Sequence, residues 1–309
     1  MSFKKIDRSS IFQSRDKVHD PRYGDLIDTE NASDYILYGY SDDRGVKNNG
    51  GRVGAALGPD AIRKILYKMT FSPLIEKPPS ISDLGDLEIG DDILKDHNKA
   101  IDYLMQNFDE PLKKMIALGG GHDFAYPDGK FFLQRKKHSS LKPIIINFDA
   151  HLDCRPVDGD INSGTPFYRL LSEHPEDFIF FEIGLQKQCN SRSHYQWAID
   201  RGLKSLWLED LLDSKNAFES MQRFLADKLK ERHPCFLSID LDVFSSAIAP
   251  GCSQSWPSGL DFESFWKIYQ ILLKKWDVMQ LGIYECAPNL DVDQRTSRLA
   301  AKITHRYIK

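Results

Sequence analysis

Cysteine is scarce and unpatterned in this chain: five in 309 residues, an odd number, with no Cys-x-x-Cys pair. That argues against a disulfide framework and against a thiolate zinc site. No apolar stretch approaches the roughly 18 residues that suggest a membrane span. The opening residues are polar and lack the apolar core of a secretory signal, so a soluble cytoplasmic chain is expected. Charge of one sign is missing too. With 45 acidic against 41 basic residues and a formal net charge of -4, there is no bulk electrostatic reason to expect nucleic acid or membrane partners. The one dense basic run, Arg135-Lys136-Lys137, is short and reads as a solvated helix end. What is present is ordinary: 41% hydrophobic residues on a chain long enough to bury a sizeable core. A soluble enzyme or small-molecule binding protein remains.

Residues 1–33 are polar and irregular and are expected to wrap the surface of the body. From 34 to 309 no composition shift marks a linker and no repeat appears, so one domain is expected there. Within it, short β-branched or aromatic runs alternate with amphipathic segments. Candidate strands are 35–40, 115–118, 143–148, 178–184, 203–208, 235–240 and 279–284, with 81–87 a weaker eighth. Ile144-Ile145-Ile146 is apolar on both faces, as a strand covered on both sides of a parallel sheet should be. Helices are expected over 59–69, where Pro59 suits a first turn, and over 96–108, 217–231, 262–275 and 293–307. Strand–helix alternation implies right-handed crossovers and a three-layer α/β/α sandwich with a mostly parallel sheet.

Three polar clusters directly follow apolar strands: Gly119-Gly120-Gly121-His122-Asp123, Asp149-Ala150-His151-Leu152-Asp153 and Asp240-Leu241-Asp242. Sites in open parallel sheets form outside the carboxyl ends of the strands, so all three can converge on one crevice. Alternate residues leaving a strand point the same way, which puts Asp149, His151 and Asp153 on one side of a cavity, and likewise Asp240 and Asp242. Taken singly, each has a bland reading: a hydrogen-bonded turn, a tight glycine turn, a helix cap. Together they form a carboxylate cluster that would repel itself if left empty. Bound cations remove that problem, and nitrogen and oxygen donors without thiolate favour Mn²⁺ or a similar ion.

With Gly50-Gly51-Arg52-Val53-Gly54, Gly58-Pro59-Asp60-Ala61-Ile62-Arg63, Pro250-Gly251 and Tyr284-Glu285-Cys286-Ala287-Pro288, these pieces resemble the arginase-like ureohydrolases, from about Asn49 to Lys302. The resemblance implies a doubly wound α/β fold around an eight-stranded sheet, and two Mn²⁺ per chain. One ion would take His122, Asp149, Asp153 and Asp240, the other Asp149, His151, Asp240 and Asp242. Two such cations lower the pKa of a shared water towards neutrality. By the same resemblance Asp153 is the proton shuttle and Glu285 the acid that pairs with cationic substrate nitrogens. A surface or capping glutamate is the bland reading of Glu285. Relatives often form trimers or hexamers, so a homo-oligomer is expected.

Departures from the pattern bear on the substrate. Ser245-Ser246 stands where arginases and agmatinases show Asp-Pro, and Ser163 where they place a catalytic histidine. Ser163-Gly164-Thr165-Pro166-Phe167, Asp153-Cys154-Arg155-Pro156, the Ala249-Pro250-Gly251 turn and the segment 45–52 are similar to the formimidoylglutamase branch. The resemblance therefore implies hydrolysis of N-formimidoyl-L-glutamate, a step of histidine degradation. Arg155 offers a guanidinium fork for a substrate carboxylate, with an ion pair to Asp158 or Asp160 as its structural alternative. Arg192 is a second candidate, whereas Arg52 and Arg63 read as structural. Cys154 and Cys252 read as free thiols near the site, with pairing or oxidation as the alternative. Phe167 and Trp256 suit either the pocket wall or simple packing. Two rivals stay open: a guanidino-compound hydrolase releasing urea, and a non-catalytic relative that keeps its metals.

Overall fold

A computed structural model describes residues 2–27, 33–74, 76, 78–109, 113–137 and 139–308. The terminal residues 1 and 309, and the stretch 28–32 just before the expected boundary at 33, lie outside the described residues. The strands are β1 (Phe3–Lys4), β2 (Tyr35–Gly39), β3 (Ile81–Leu87), β4 (Lys114–Leu118), β5 (Ile144–Phe148), β6 (Ile179–Leu185), β7 (Lys204–Trp207), β8 (Pro234–Asp240) and β9 (Asp277–Tyr284). They form one sheet in the order β1-β3-β2-β4-β9-β8-β5-β6-β7. The eight expected strands are all parallel to one another, and β1 adds an antiparallel edge against β3.

Eleven α-helices are present among the described residues: α1 (Tyr23–Leu26), α2 (Arg44–Asn48), α3 (Gly58–Leu66), α4 (Ile93–Phe108), α5 (Ala125–Lys136), α6 (Pro166–Glu173), α7 (Arg192–Ile199), α8 (Leu208–Leu212), α9 (Ala217–Leu225), α10 (Phe262–Lys275) and α11 (Arg295–Tyr307). The strands are apolar on both faces, and the sheet separates two cores. Ile144 and Ile146 join α3, α8, α9, α10 and α11 on one side. Ile145 points the other way, into a core with α4, α5, α6 and α7. This alternation is the period-two geometry of a strand covered twice. No described helix is long and apolar enough to cross a membrane.

Several helices differ from the sequence expectation for identifiable reasons. The expected helix 217–231 breaks after Leu225, with a separate 3-10 turn at Lys228–Lys230. Of helix α5 only the basic end, Arg135 to Lys137, is expected from the sequence. It contains Pro127 and Gly129 and buries Tyr126, Asp128, Phe131 and Phe132 together, so it has no polar stripe to reveal its period. The N-terminal segment also differs from a polar wrap. Phe3 packs edge-on against Tyr38 at 5.7 Å, and Ile11, Phe12, Tyr23 and Ile27 enter the core beside α3 and α11.

Candidate metal centre

Four strands that are neighbours in the sheet, β4, β9, β8 and β5, deliver the polar groups from their carboxyl ends. His122 follows β4 through three glycines, none of which has positive φ. Their smallness serves close approach rather than a turn: a Cβ on Gly120 would stand 1.9 Å from the Asp42 carbonyl oxygen. Asp149, His151 and Asp153 leave β5, Asp240 and Asp242 leave β8, and Glu285 leaves β9.

These side chains meet in two groups. His122, Asp149, Asp153 and Asp240 each place one donor atom within 4.8 Å of the others, and so do Asp149, His151 and Asp242. Asp149 belongs to both. Asp240 falls with the first group only, although the family pattern expects it in both. The His122 Nδ1 lies 3.0 Å from Asp149, 2.8 Å from Asp153 and 3.3 Å from Asp240. His151 Nδ1 lies 3.1 Å from Asp242 and 3.5 Å from Asp149. A cavity of about 40 Å³ opens here, bordered also by Asn49, Ser163, Ser253 and Glu285.

The electrostatics fit a pair of cations. Burial pushes the carboxyls of Asp240 and Asp242 up, and their neighbouring carboxylates add to the effect for both. Asp153 is raised to about 6, first by burial and then by Asp149. Burial opposes charge on His122, but Asp149, Asp153 and Asp240 outweigh it and hold the imidazole well above its usual range. Two carboxylates about 4 Å apart repel by roughly 4 kcal/mol at an effective dielectric near 20, so the four cannot all ionise without positive charge between them. Two buried atoms, His122 Nδ1 and Asp242 Oδ1, have no hydrogen-bond partner of proper geometry. Both are lone-pair donors set in the cluster, as a metal site requires.

Other contacts hold the donors in place. His122 Nε2 is 3.0 Å from Ser238 Oγ, and the ring packs edge-on against the buried Phe167 at 5.6 Å. The His151 backbone N–H donates to Asp149 Oδ1 at 2.7 Å. Glu285 is only 4% exposed and lines the cavity, and its Oε1 accepts from the His122 N–H at 3.0 Å, which also caps the 3-10 turn at His122–Phe124. Burial raises its carboxyl to about 8, against the His122 hydrogen bond, which lowers it. Asp153 and Glu285 both sit in the left-handed region, at φ 48° and 63°. Such strain costs on the order of 1–3 kcal/mol per residue and is concentrated at functional sites.

Arg155 makes no ion pair with Asp158 or Asp160. Its Nη1 instead donates to Asn49 Oδ1 at 2.5 Å, and the Asn49 amide donates to Ser163 Oγ at 3.0 Å. Asn49 therefore joins two candidates that sequence alone did not connect. Arg192 is exposed at the start of α7, and Arg155 is close enough to α7 to add to the burial that lowers His194. Arg52 holds the 252–253 turn through the Cys252 and Ser253 carbonyls, and Arg63 is buried against Asp83 and Asp86. Cys154 and Cys252 are buried free thiols, and Trp256 is 37% exposed and lies outside the cavity wall.

A parallel sheet that gathers four carboxylates, one of them shared, and two imidazoles at the ends of neighbouring strands defines a class of α/β proteins with binuclear cation sites. Residues 33–309 match the arginase family model, and the chain belongs to that family. It is 32% identical over 292 residues to a formimidoylglutamase of Staphylococcus haemolyticus, covering 93% of this chain and 90% of that one. A formimidoylglutamase of Legionella pneumophila is 33% identical over 275 residues, covering 87% and 82%. The crystal structure of formiminoglutamase from Trypanosoma cruzi with Mn²⁺ superposes with a TM-score of 0.80 at 27% identity, over 94% and 97% of the two chains.

Proposed function

We propose that this chain is a C–N hydrolase that holds two Mn²⁺ and converts N-formimidoyl-L-glutamate and water to L-glutamate and formamide. The observation that carries the substrate is Arg155, whose guanidinium donates to Asn49, a residue that itself lines a site able to hold two cations and donates to Ser163. A planar guanidinium fork matches a carboxylate, and the substrate brings two. The sequence similarity to formimidoylglutamases, and the Mn²⁺ in the T. cruzi structure, support the same reading.

His122, Asp149, Asp153 and Asp240 would hold one ion, and Asp149, His151 and Asp242 the other, with Asp240 able to share. Bound there, the cations supply Lewis acidity that lowers the pKa of a water towards neutrality. Glu285, with one oxygen held by the His122 N–H, keeps the other for the positively charged amidine nitrogens. As water oxygen bonds to the formimidoyl carbon, Asp153 takes the released proton. The bond from that carbon to the glutamate nitrogen then breaks, and Asp153 returns the proton to that nitrogen so that it leaves as a neutral amine. Arg155 fixes the glutamate end and keeps the reacting carbon over the cluster. A cytoplasmic place in histidine breakdown and a homo-oligomeric assembly belong to this reading; sedimentation as a monomer would remove the latter.

The test is product analysis of the Mn²⁺-loaded protein with formimidoylglutamate, arginine and agmatine. Formamide and glutamate from the first substrate are expected. Urea from either of the others without formamide would overturn the assignment, and inertness towards all three would point to a binding protein.

A further inference from the structure

One layer below the candidate ligands, a row of polar side chains crosses the sheet inside otherwise apolar strands. Ser238 on β8, Asn147 on β5 and Glu182 on β6 are register partners, and all three are fully buried. Ser238 supports His122. Asn147 lies two residues before Asp149, and its Nδ2 donates both to Asp149 Oδ2 and to Glu182 Oε1, each at 3.2 Å. Glu182 is flanked by Phe180, Phe181 and Ile183, where an aliphatic side chain would pack without penalty. Its Oε2 has no hydrogen-bond partner, and neither does Asn147 Oδ1. A buried acid with one orphan oxygen is costly, and the Asn147 amide is its one hydrogen-bond partner among the described residues.

That contact decides which way the amide faces. Each Nδ2 hydrogen has its own acceptor, one on Asp149 and one on Glu182. Turned over, the amide would set its oxygen against both carboxyl groups. An aliphatic residue at 182 would remove one of the two acceptors that select the present orientation. We infer that Glu182 is a positioning residue for Mn²⁺ binding, acting through Asn147 to fix Asp149, the carboxylate common to both donor groups. This rests on the two-cation reading above. Partners one step behind a metal ligand orient it and tune its affinity.

The test measures Mn²⁺ dissociation constants of the full chain by competition with a fluorescent chelator, beside thermal unfolding without metal. Glu182→Met is expected to weaken Mn²⁺ binding by about 10- to 100-fold, the usual range for such partners. Glu182→Gln keeps an acceptor for the amide and should restore affinity to within about threefold of the parent, since orientation and not charge is the proposed role. Asn147→Leu should lose as much as Glu182→Met, and the double variant no more, because the two act in series. Where Glu182→Met disturbs folding, Asn147→Ser and Glu182→Gln carry the same comparison. Unchanged affinity with only a lower metal-free Tm would make Glu182 a packing residue and overturn the inference. A full loss in Glu182→Gln would also overturn it, by assigning the effect to charge. Absence of Mn²⁺ binding by the parent chain would instead remove the two-cation reading, and this inference with it.

Discussion

Arg155 and Asn49, 106 positions apart in the chain, are joined by a hydrogen bond of 2.5 Å from guanidinium to amide oxygen, and Asn49 in turn lines the cavity. The bond uses one nitrogen of the fork and leaves the others for an anion. Arg155→Ala should raise KM for the dicarboxylate substrate by about 10- to 100-fold with little change in kcat, the pattern expected when an interaction is equal in ground and transition states. Asn49→Ala should raise KM less, about three- to tenfold, because the arginine remains but is no longer aimed. Steady-state kinetics decide it, and an unchanged KM in Arg155→Ala would take that residue out of substrate binding.

Glu285 should show the opposite signature. If it pairs with charge that localises on the amidine nitrogens as the reaction proceeds, Glu285→Gln should lower kcat by about 10²-fold while Mn²⁺ affinity stays unchanged. A fall in metal content of the variant would show that Glu285 shapes the cation site instead.

Metal removal should cost stability as well as activity. A ligand present at 100 times its dissociation constant adds about 2.7 kcal/mol per site to the folded state. Chelation should therefore lower Tm, and added Mn²⁺ should restore both Tm and turnover. In Asp149→Ala, which removes the carboxylate common to both groups, Mn²⁺ should move Tm little. A full Mn²⁺-induced shift in that variant would show that the ions bind elsewhere.

Asp128 offers a pH test away from the cavity. This fully buried carboxyl on α5 accepts from Tyr38, Tyr40 and Tyr284 at 2.6, 2.9 and 2.5 Å. Burial raises it from 3.8 to about 6 in spite of those hydrogen bonds. The folded state thus holds this proton to higher pH than the unfolded one. Its contribution to stability is complete below about pH 4 and is lost as pH rises through 6, some 3 kcal/mol by linkage. Asp128→Asn removes the titration, so its stability relative to the parent should improve between pH 4 and 7. Denaturant unfolding of both proteins across that range checks the sign; parallel pH profiles would refute it.

Much of this architecture was legible because strand ends are where polarity breaks an apolar run. Asp149, His151 and Asp153, and likewise Asp240 and Asp242, follow such a run with period-two spacing, and His122 follows one through a triple glycine, which exposes them in sequence. Glu285 was found through its place after the last apolar run and the family pattern. The supporting residues were harder to see. Ser238, Asn147 and Glu182 sit within strands, where one polar residue in an apolar run resembles noise. A lone glutamate between Phe181 and Ile183 was the available signal. Asn49 could not be connected to Arg155 and Ser163 because the link is purely tertiary. Most of α5 was missed because Pro127, Gly129 and burial on several sides obscure its period, and α6 and α7 because each is only eight residues long.

The sheet order has a further consequence for how this protein comes into being. Strand β9 lies between β4 and β8, so His122 on one side and Asp149, Asp240 and Asp242 on the other are bridged by the last strand to be synthesised. Glu285 leaves the same strand, so β9 both joins the two halves of the centre and adds its own acid to it. A chain cut before Asp277 would lack that bridge and should lack a finished centre to load.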